Sequence, residues 1–148
     1  MFQGAVALSL DAKGRLAIPA RHRDALAAGC DGQLLITVHP HRCLLIYPKP
    51  EWEPIQAQLL ALSGFDARSA SLKRMLVGFA EDQAMDAQGR VMVSPSLRDF
   101  AELEKDVHLI GQGNHFELWS DAHWQAEKKK MFEVDLSTLP ENIGSMSL

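Results

Sequence analysis

The chain has 148 residues, 47% of them hydrophobic and 23% charged, with 15 basic residues against 19 acidic ones. That length suffices for one ordinary domain with a real core, and the composition excludes wholesale disorder. A formal net charge of −4 excludes a uniformly basic coat for nucleic acid, but not a local basic face, because steering depends on where charges sit.

Cys30 and Cys43 are too few and too unpatterned for a disulfide framework or a structural zinc site. Cys43 opens the apolar run Cys43-Leu-Leu-Ile-Tyr47 and reads as a reduced core thiol. The start, Met1-Phe-Gln-Gly4, lacks the basic and apolar regions of a signal peptide. No apolar run approaches the ~20 residues needed to span a bilayer. The expectation is a soluble, cytoplasmic protein with no membrane partner.

In chain order, Ala5–Leu10 alternates weakly and predicts a strand. Asp11-Ala-Lys-Gly14 predicts a turn, with aspartate capping its first position and glycine taking the left-handed conformation of a bulged hairpin at its fourth. Arg15–Ile18 returns as a strand, and Pro19 begins a short helix to about Ala28, closed by Gly29 as its C′ residue. Leu34–Val38 and Cys43–Tyr47 predict a second hairpin turning through His39-Pro-His-Arg42. A helix near Pro50–Leu62 carries Trp52, Ser63-Gly-Phe-Asp66 breaks the chain, and Ser69–Val77 predicts a linking helix with Leu72, Met75 and Leu76 on one face.

The chain then repeats itself. Leu10-Asp-Ala-Lys-Gly-Arg-Leu-Ala-Ile-Pro19 is echoed by Met85-Asp-Ala-Gln-Gly-Arg-Val-Met-Val-Ser94 at an offset of 75, which still holds at Arg23/Arg98 and Asp24/Asp99. Ser94-Pro95 supplies an N-cap followed by the same proline. Val107–Ile110 answers Leu34–Val38, His115–Trp119 answers Cys43–Tyr47, and Trp124, in a helix near Asp121–Lys130, answers Trp52 at an offset of 72. After Met131 the tail has no periodicity and reads as loosely ordered. These matches predict two tandem copies of one small unit, residues 5–53 and 80–126. Each is of a size at which a lone core is marginal, so the copies should pack on each other, on further subunits, or both.

The repeated D-x-x-G-R turn admits two compatible readings. Structurally, a bulged hairpin wants Asp11 and Gly14, or Asp86 and Gly89, at these positions, with the arginine paired to the aspartate. Functionally, an aspartate beside Arg15 or Arg90 holds a guanidinium in one orientation, and a two-stranded ribbon fits a major groove where arginine presents two donors to guanine. The charge is segregated accordingly. From Asp11 to Asp24, Lys13, Arg15, Arg21 and Arg23 outweigh two aspartates for a local +2, leaving −6 elsewhere, whereas Asp86 to Asp99 sums to zero. Lysines and further arginines there can neutralise phosphates.

These motifs together resemble the MraZ family of bacterial transcriptional regulators, built from two tandem SpoVT-AbrB-type units. The resemblance covers nearly the whole chain: Met1–Gly4, both turns, Cys43–Pro48 with Trp52, and Gly111-Gln-Gly-Asn114 before Phe116–Trp119. It implies an α+β fold in which two β-hairpin-rich units pack as a pseudo-symmetric barrel with linking and flanking helices. It also implies binding to short direct repeats of double-stranded promoter DNA upstream of the division and cell-wall operon, repression of the protein's own transcription, ring-like homo-oligomers, and a place at the nucleoid. The family's D-x-x-x-R signature falls on Asp11/Arg15 and Asp86/Arg90. Arg15 is then the first candidate for base contact, followed by Lys13 and Arg90, with Arg21 and Arg23 for backbone contact or subunit pairing. Gln88 stands where the first unit has Lys13, so the two units are expected to contribute unequally.

Other candidates carry less. His39 and His41 are close in sequence, but no acid or cysteine joins them at zinc spacing, so no metal is expected. Gly111–Asn114 lacks the remainder of a phosphate-binding fingerprint and reads as a hairpin turn. Trp52 and Trp124 suit packing better than base stacking, and Lys128–Lys130 complements a helix dipole. No nucleophile, base and orienting group form a set, so neither catalysis, a cofactor nor a small-molecule substrate is expected. The rivals to DNA binding are an oligomeric scaffold whose turns bind protein and a small hydrolase using a histidine–acid pair.

Overall fold

Two series of elements follow one another in the same order in the computed structural model, which describes residues 1–144. The first comprises β1 (Ala5–Ser9), β2 (Arg15–Ala17), α1 (Ala20–Cys30), β3 (Gln33–Val38), β4 (Leu44–Pro48) and α2 (Lys49–Leu60). Helix α3 (Ala67–Leu76) leads to the second: β5 (Glu81–Ala84), β6 (Arg90–Met92), α4 (Pro95–Ala101), β7 (Asp106–Gly111), β8 (Phe116–Ser120) and α5 (Asp121–Met131). A 3-10 turn at Leu136–Thr138 and the short α6 (Glu141–Gly144) close the described chain. The loosely ordered tail expected after Met131 therefore contains helical turns, and its last part, residues 145–148, lies outside the described residues.

The two series exchange strands. β1 pairs with β7, β5 pairs with β3, and the hairpins β3–β4 and β7–β8 join through β4 and β8, all antiparallel. The resulting six-stranded sheet, ordered β1-β7-β8-β4-β3-β5, maps onto itself when the halves are interchanged. β2 and β6 form a separate two-stranded ribbon with Leu16 opposite Val91 at its centre, and these residues are equivalent in the repeat. The D-x-x-G-R turns thus reverse the chain as expected, but their flanking strands enter different sheets after the Asp11 N–H to Arg15 carbonyl bond of 3.0 Å.

The apolar runs in β3 and β4 follow from this arrangement, because both faces of the central strands are covered. Leu34, Ile36, Val38, Leu44 and Ile46 face the main core with Leu16 and Val91 of the ribbon. The intervening Leu35, Leu45 and Tyr47 face outward onto Trp52 and Leu59 of α2, as a period of two requires. Trp119, Ile110 and Cys43 pack with Trp124 of α5 on the same outer side. β1, an edge strand, instead alternates half-buried Val6 and Leu8 with exposed neighbours.

Helix α1 buries His22 and Leu26, and α4 buries Leu97 and Ala101 at the equivalent positions. Gly29, expected to terminate α1, lies within it. The helix ends at Asp31, which adopts a left-handed conformation (φ 53°), while Gly32 N–H reaches back to the Leu26 carbonyl at 3.1 Å. Aspartate is among the few side chains that tolerate this conformation, so the stop signal was Asp31-Gly32. Linking helix α3 divides its expected apolar face: Met75 joins the main core, Leu76 joins the outer cluster, and Leu72 remains exposed.

Candidate nucleic-acid interface

Both turns are built by their aspartates. Asp11 Oδ1 accepts the backbone N–H groups of Lys13 (3.0 Å) and Arg15 (2.8 Å), and Oδ2 accepts Arg15 Nε–H at 2.6 Å. Asp86 does the same for Gln88 (2.9 Å), Arg90 (2.9 Å) and Arg90 Nε (2.9 Å). The backbone N–H of each arginine, then its side chain and the neighbouring N–H, hold both carboxyls below their ordinary range. The aspartates therefore stay ionised, and each arginine is anchored to its carboxylate through Nε. Gly14 (φ 85°) and Gly89 (φ 76°) complete the turns in a conformation closed to most side chains.

The ribbon brings the two turns into one surface. Arg15 lies opposite Met92 and Ala17 lies opposite Arg90. Strand alternation places these four residues on one face and Leu16 and Val91, both fully buried, on the other. Arg15 and Arg90 are consequently diagonal neighbours, roughly 7–8 Å apart at the backbone. The turns flank this face from the two ends of the ribbon, with exposed Lys13 and Gln88 in them.

Each turn rests on a helix of the other half. Arg23 of α1 donates from Nε to the Ile18 carbonyl (2.6 Å), and its side chain lies where a Cβ on Gly89 would stand. Arg98 of α4 donates to the Val93 carbonyl (3.0 Å) and lies against Gly14. Ile18 N–H bonds the Gly89 carbonyl and Val93 N–H bonds the Gly14 carbonyl, both at 2.9 Å. Each turn, built by its own aspartate, is thus also braced by the other half.

A family model described as "MraZ protein, putative antitoxin-like" matches the chain twice in tandem, at residues 1–75 and 76–143. The chain belongs to the MraZ family. Among its relatives are proteins named "Transcriptional regulator MraZ" from Azoarcus sp. (59% identical), Aromatoleum aromaticum (58%) and Methylobacillus flagellatus (55%), each aligned over all of both chains.

Within this MraZ chain the predicted site residues separate into groups. Arg15, Arg90, Lys13 and Gln88 gather on the ribbon and its turns, and Asp11, Gly14, Asp86 and Gly89 build those turns. Gln88 Oε1 also accepts from Arg90 Nη2 at 3.3 Å, a contact with no counterpart in the first turn because lysine has no acceptor. Arg23 stands beneath the second turn. Arg21 lies apart, over Gly4, with Nε directed to His22 Nε2 at 3.2 Å. Arg98 was not among the predicted residues, although its match to Arg23 at the offset of 75 was the available signal.

The remaining motifs serve packing. Phe2 exchanges two backbone hydrogen bonds with Gly113, occupying the Gly111–Asn114 turn. Trp52 and Trp124 are buried. Among the described residues no three His, Cys, Asp or Glu side chains are grouped as a metal site, and no helix is long and apolar enough to cross a membrane.

Proposed function

We propose that this protein is a sequence-specific, DNA-binding transcriptional regulator that represses the division and cell-wall operon containing its own gene, and that it acts without catalysis. The observation carrying this reading is the ribbon face, where Arg15 and Arg90 from the two halves stand side by side, each aligned by an ionised aspartate. A backbone separation of roughly 7 Å corresponds to about two steps of 3.4 Å along a duplex. The arginines thus address nearby base pairs within one major groove. Arg15 is the principal base reader, Arg90 the second, Lys13 and Gln88 contact phosphate or base, Arg23 braces the second turn from beneath, and Arg21, apart over Gly4, is left for backbone contact or subunit pairing. Units 5–53 and 80–126 together form a pseudo-symmetric barrel presenting both turns, and copies assemble as a ring-like homo-oligomer on direct repeats at the nucleoid.

A gel-shift titration against the DNA upstream of the gene tests the reading. Binding should weaken with salt, and scrambled DNA should bind far less well. Arg15→Ala should remove about 1–3 kcal/mol of base discrimination per contacting copy while leaving the assembly size unchanged. Equal binding to scrambled DNA would favour the protein-binding scaffold, and loss of the assembly in Arg15→Ala would make Arg15 a structural residue.

A further inference from the structure

The outer face of the ribbon carries apolar side chains as well as charge. Met92 stands opposite Arg15, and Ala17 stands opposite Arg90. Ala17 and Met92 occupy the same place in the repeat, at the offset of 75. The ribbon therefore has an approximate two-fold axis between Leu16 and Val91, and this apolar pair breaks it. Ala17 ends at its Cβ, whereas Met92 carries a flexible thioether chain with three rotatable bonds. Met92 is also set apart from the packed methionines. Met75 and Met85 pack against the main core, while half-buried Met92 joins none of the core clusters among the described residues. Strand alternation puts it on the side away from fully buried Val91. Each arginine of this face is tied through Nε to the aspartate of its own turn. A held guanidinium and an apolar side chain thus stand side by side in each cross-strand pair.

We propose that Met92 reads the C5-methyl group of a thymine beside the base that Arg15 reads, and that this contact sets the direction in which a copy lies on its operator. In the major groove the thymine methyl is the one apolar feature of the base edges, and apolar contact recognises it. Directly opposite residues have Cβ atoms roughly 4.5–5.5 Å apart, which is between one and two steps of about 3.4 Å along a duplex. The thymine therefore lies within two base pairs of the base met by Arg15. Ala17, beside Arg90, is too short to reach the same depth. Direction matters because a ribbon with true two-fold symmetry would take a site equally well either way round, whereas direct repeats all run one way. Lys13 and Gln88 break the symmetry at the turns, and Met92 and Ala17 break it over the bases. The inference rests on the DNA-binding reading above and adds a specificity-determining residue to it.

Replacing thymines of the upstream DNA one position at a time by deoxyuridine, which lacks only the methyl, tests the inference by fluorescence anisotropy. For the wild type, one position within two base pairs of a guanine should weaken binding about fourfold per contacting copy, the worth of one buried methyl. Met92→Ala and Met92→Gln should bind thymine and deoxyuridine DNA equally at that position, and Met92→Leu should keep most of the difference. Tryptophan fluorescence and light scattering should show folding and assembly size unchanged in all three variants. Wild-type binding that is insensitive to deoxyuridine everywhere, or a Met92→Gln protein that keeps the fourfold difference, would overturn the inference and leave the arginine reading standing. A changed assembly size in the Met92 variants would make Met92 a subunit contact and overturn it as well. Equal binding of upstream and scrambled DNA would overturn the DNA-binding reading itself.

Discussion

Gly14→Ala isolates the support that each half gives the other. A Cβ at Gly14 would stand 2.8 Å from Arg98 Cζ and Nε and 3.0 Å from the Val93 carbonyl, on a backbone at φ 85°. The left-handed conformation alone costs a side-chain-bearing residue roughly 1–2 kcal/mol. Displacing Arg98 also breaks its hydrogen bond to Val93, a charge-assisted bond worth about 1.5–3 kcal/mol. The expected destabilisation is about 2.5–5 kcal/mol, which at 2–4 °C per kcal/mol lowers Tm on the order of 10 °C. Thermal unfolding followed through the buried tryptophans measures it. Gly29→Ala is the reference: Gly29 lies inside α1 with open space around its Cβ position, so alanine should stabilise by about 0.5–1 kcal/mol. If Gly14→Ala melts within 2 °C of wild type, the cross-support of the turns is wrong.

The unequal turns predict opposite salt responses. Lys13→Gln should flatten the dependence of log K on log salt by about 0.9 for each phosphate that the lysine neutralises, and Gln88→Lys should steepen it; unchanged slopes would take both residues off the phosphates. His22 is buried between Phe2 and Phe116, and burial, then Arg21, then the N-terminal ammonium hold its imidazole below the ordinary value. Its contribution to stability is therefore complete above the unfolded imidazole pKa of about 6.5 and is lost as pH falls through the lower folded value. His22→Leu, matching Leu97, should make the acid-side slope of stability shallower in denaturant titrations between pH 5 and 7, with His39 and His115 supplying the remainder; an identical slope would exclude His22. Trp52→Ala should destabilise by about 3–5 kcal/mol in urea titration as a core truncation. Preserved stability with abolished DNA binding would instead make Trp52 a stacking residue.

Local chemistry was legible where it is complete within a few residues. The Asp11 and Asp86 turns, their glycines and the arginine pairing follow from side-chain reach over four positions. The buried tryptophans follow from their matched helical settings. Strand exchange was not legible, because the alternation of Ala5–Leu10 and Arg15–Ile18 is the same whether the strands pair with each other or with the second copy. The supporting role of Arg23 and Arg98 was hidden for the same reason, since each touches a glycine of the other half. Cys43 was readable as a core thiol from its apolar run, and burial of that site pushes its thiol upward. The end of α1 was not legible at Gly29, because a glycine is tolerated inside a helix and Asp31 takes the left-handed conformation one residue before Gly32.

The exchanged ribbon also bears on the net charge of −4. On the proposed reading one copy offers two arginines for base contact, and at about 1–3 kcal/mol each they supply at most about 6 kcal/mol of discrimination. Specific operator complexes lie near 10⁻⁸–10⁻¹¹ M, or about 11–15 kcal/mol. Discrimination adds to the sequence-independent attraction of phosphates, and a single acidic protomer, with a local surplus of only +2 from Asp11 to Asp24, supplies little of that attraction. Repeated operators and an assembly that presents several ribbons convert later contacts into intramolecular ones at high effective concentration. Such an assembly has no need of a basic body, only of basic ribbons turned outward and contacts between copies made elsewhere.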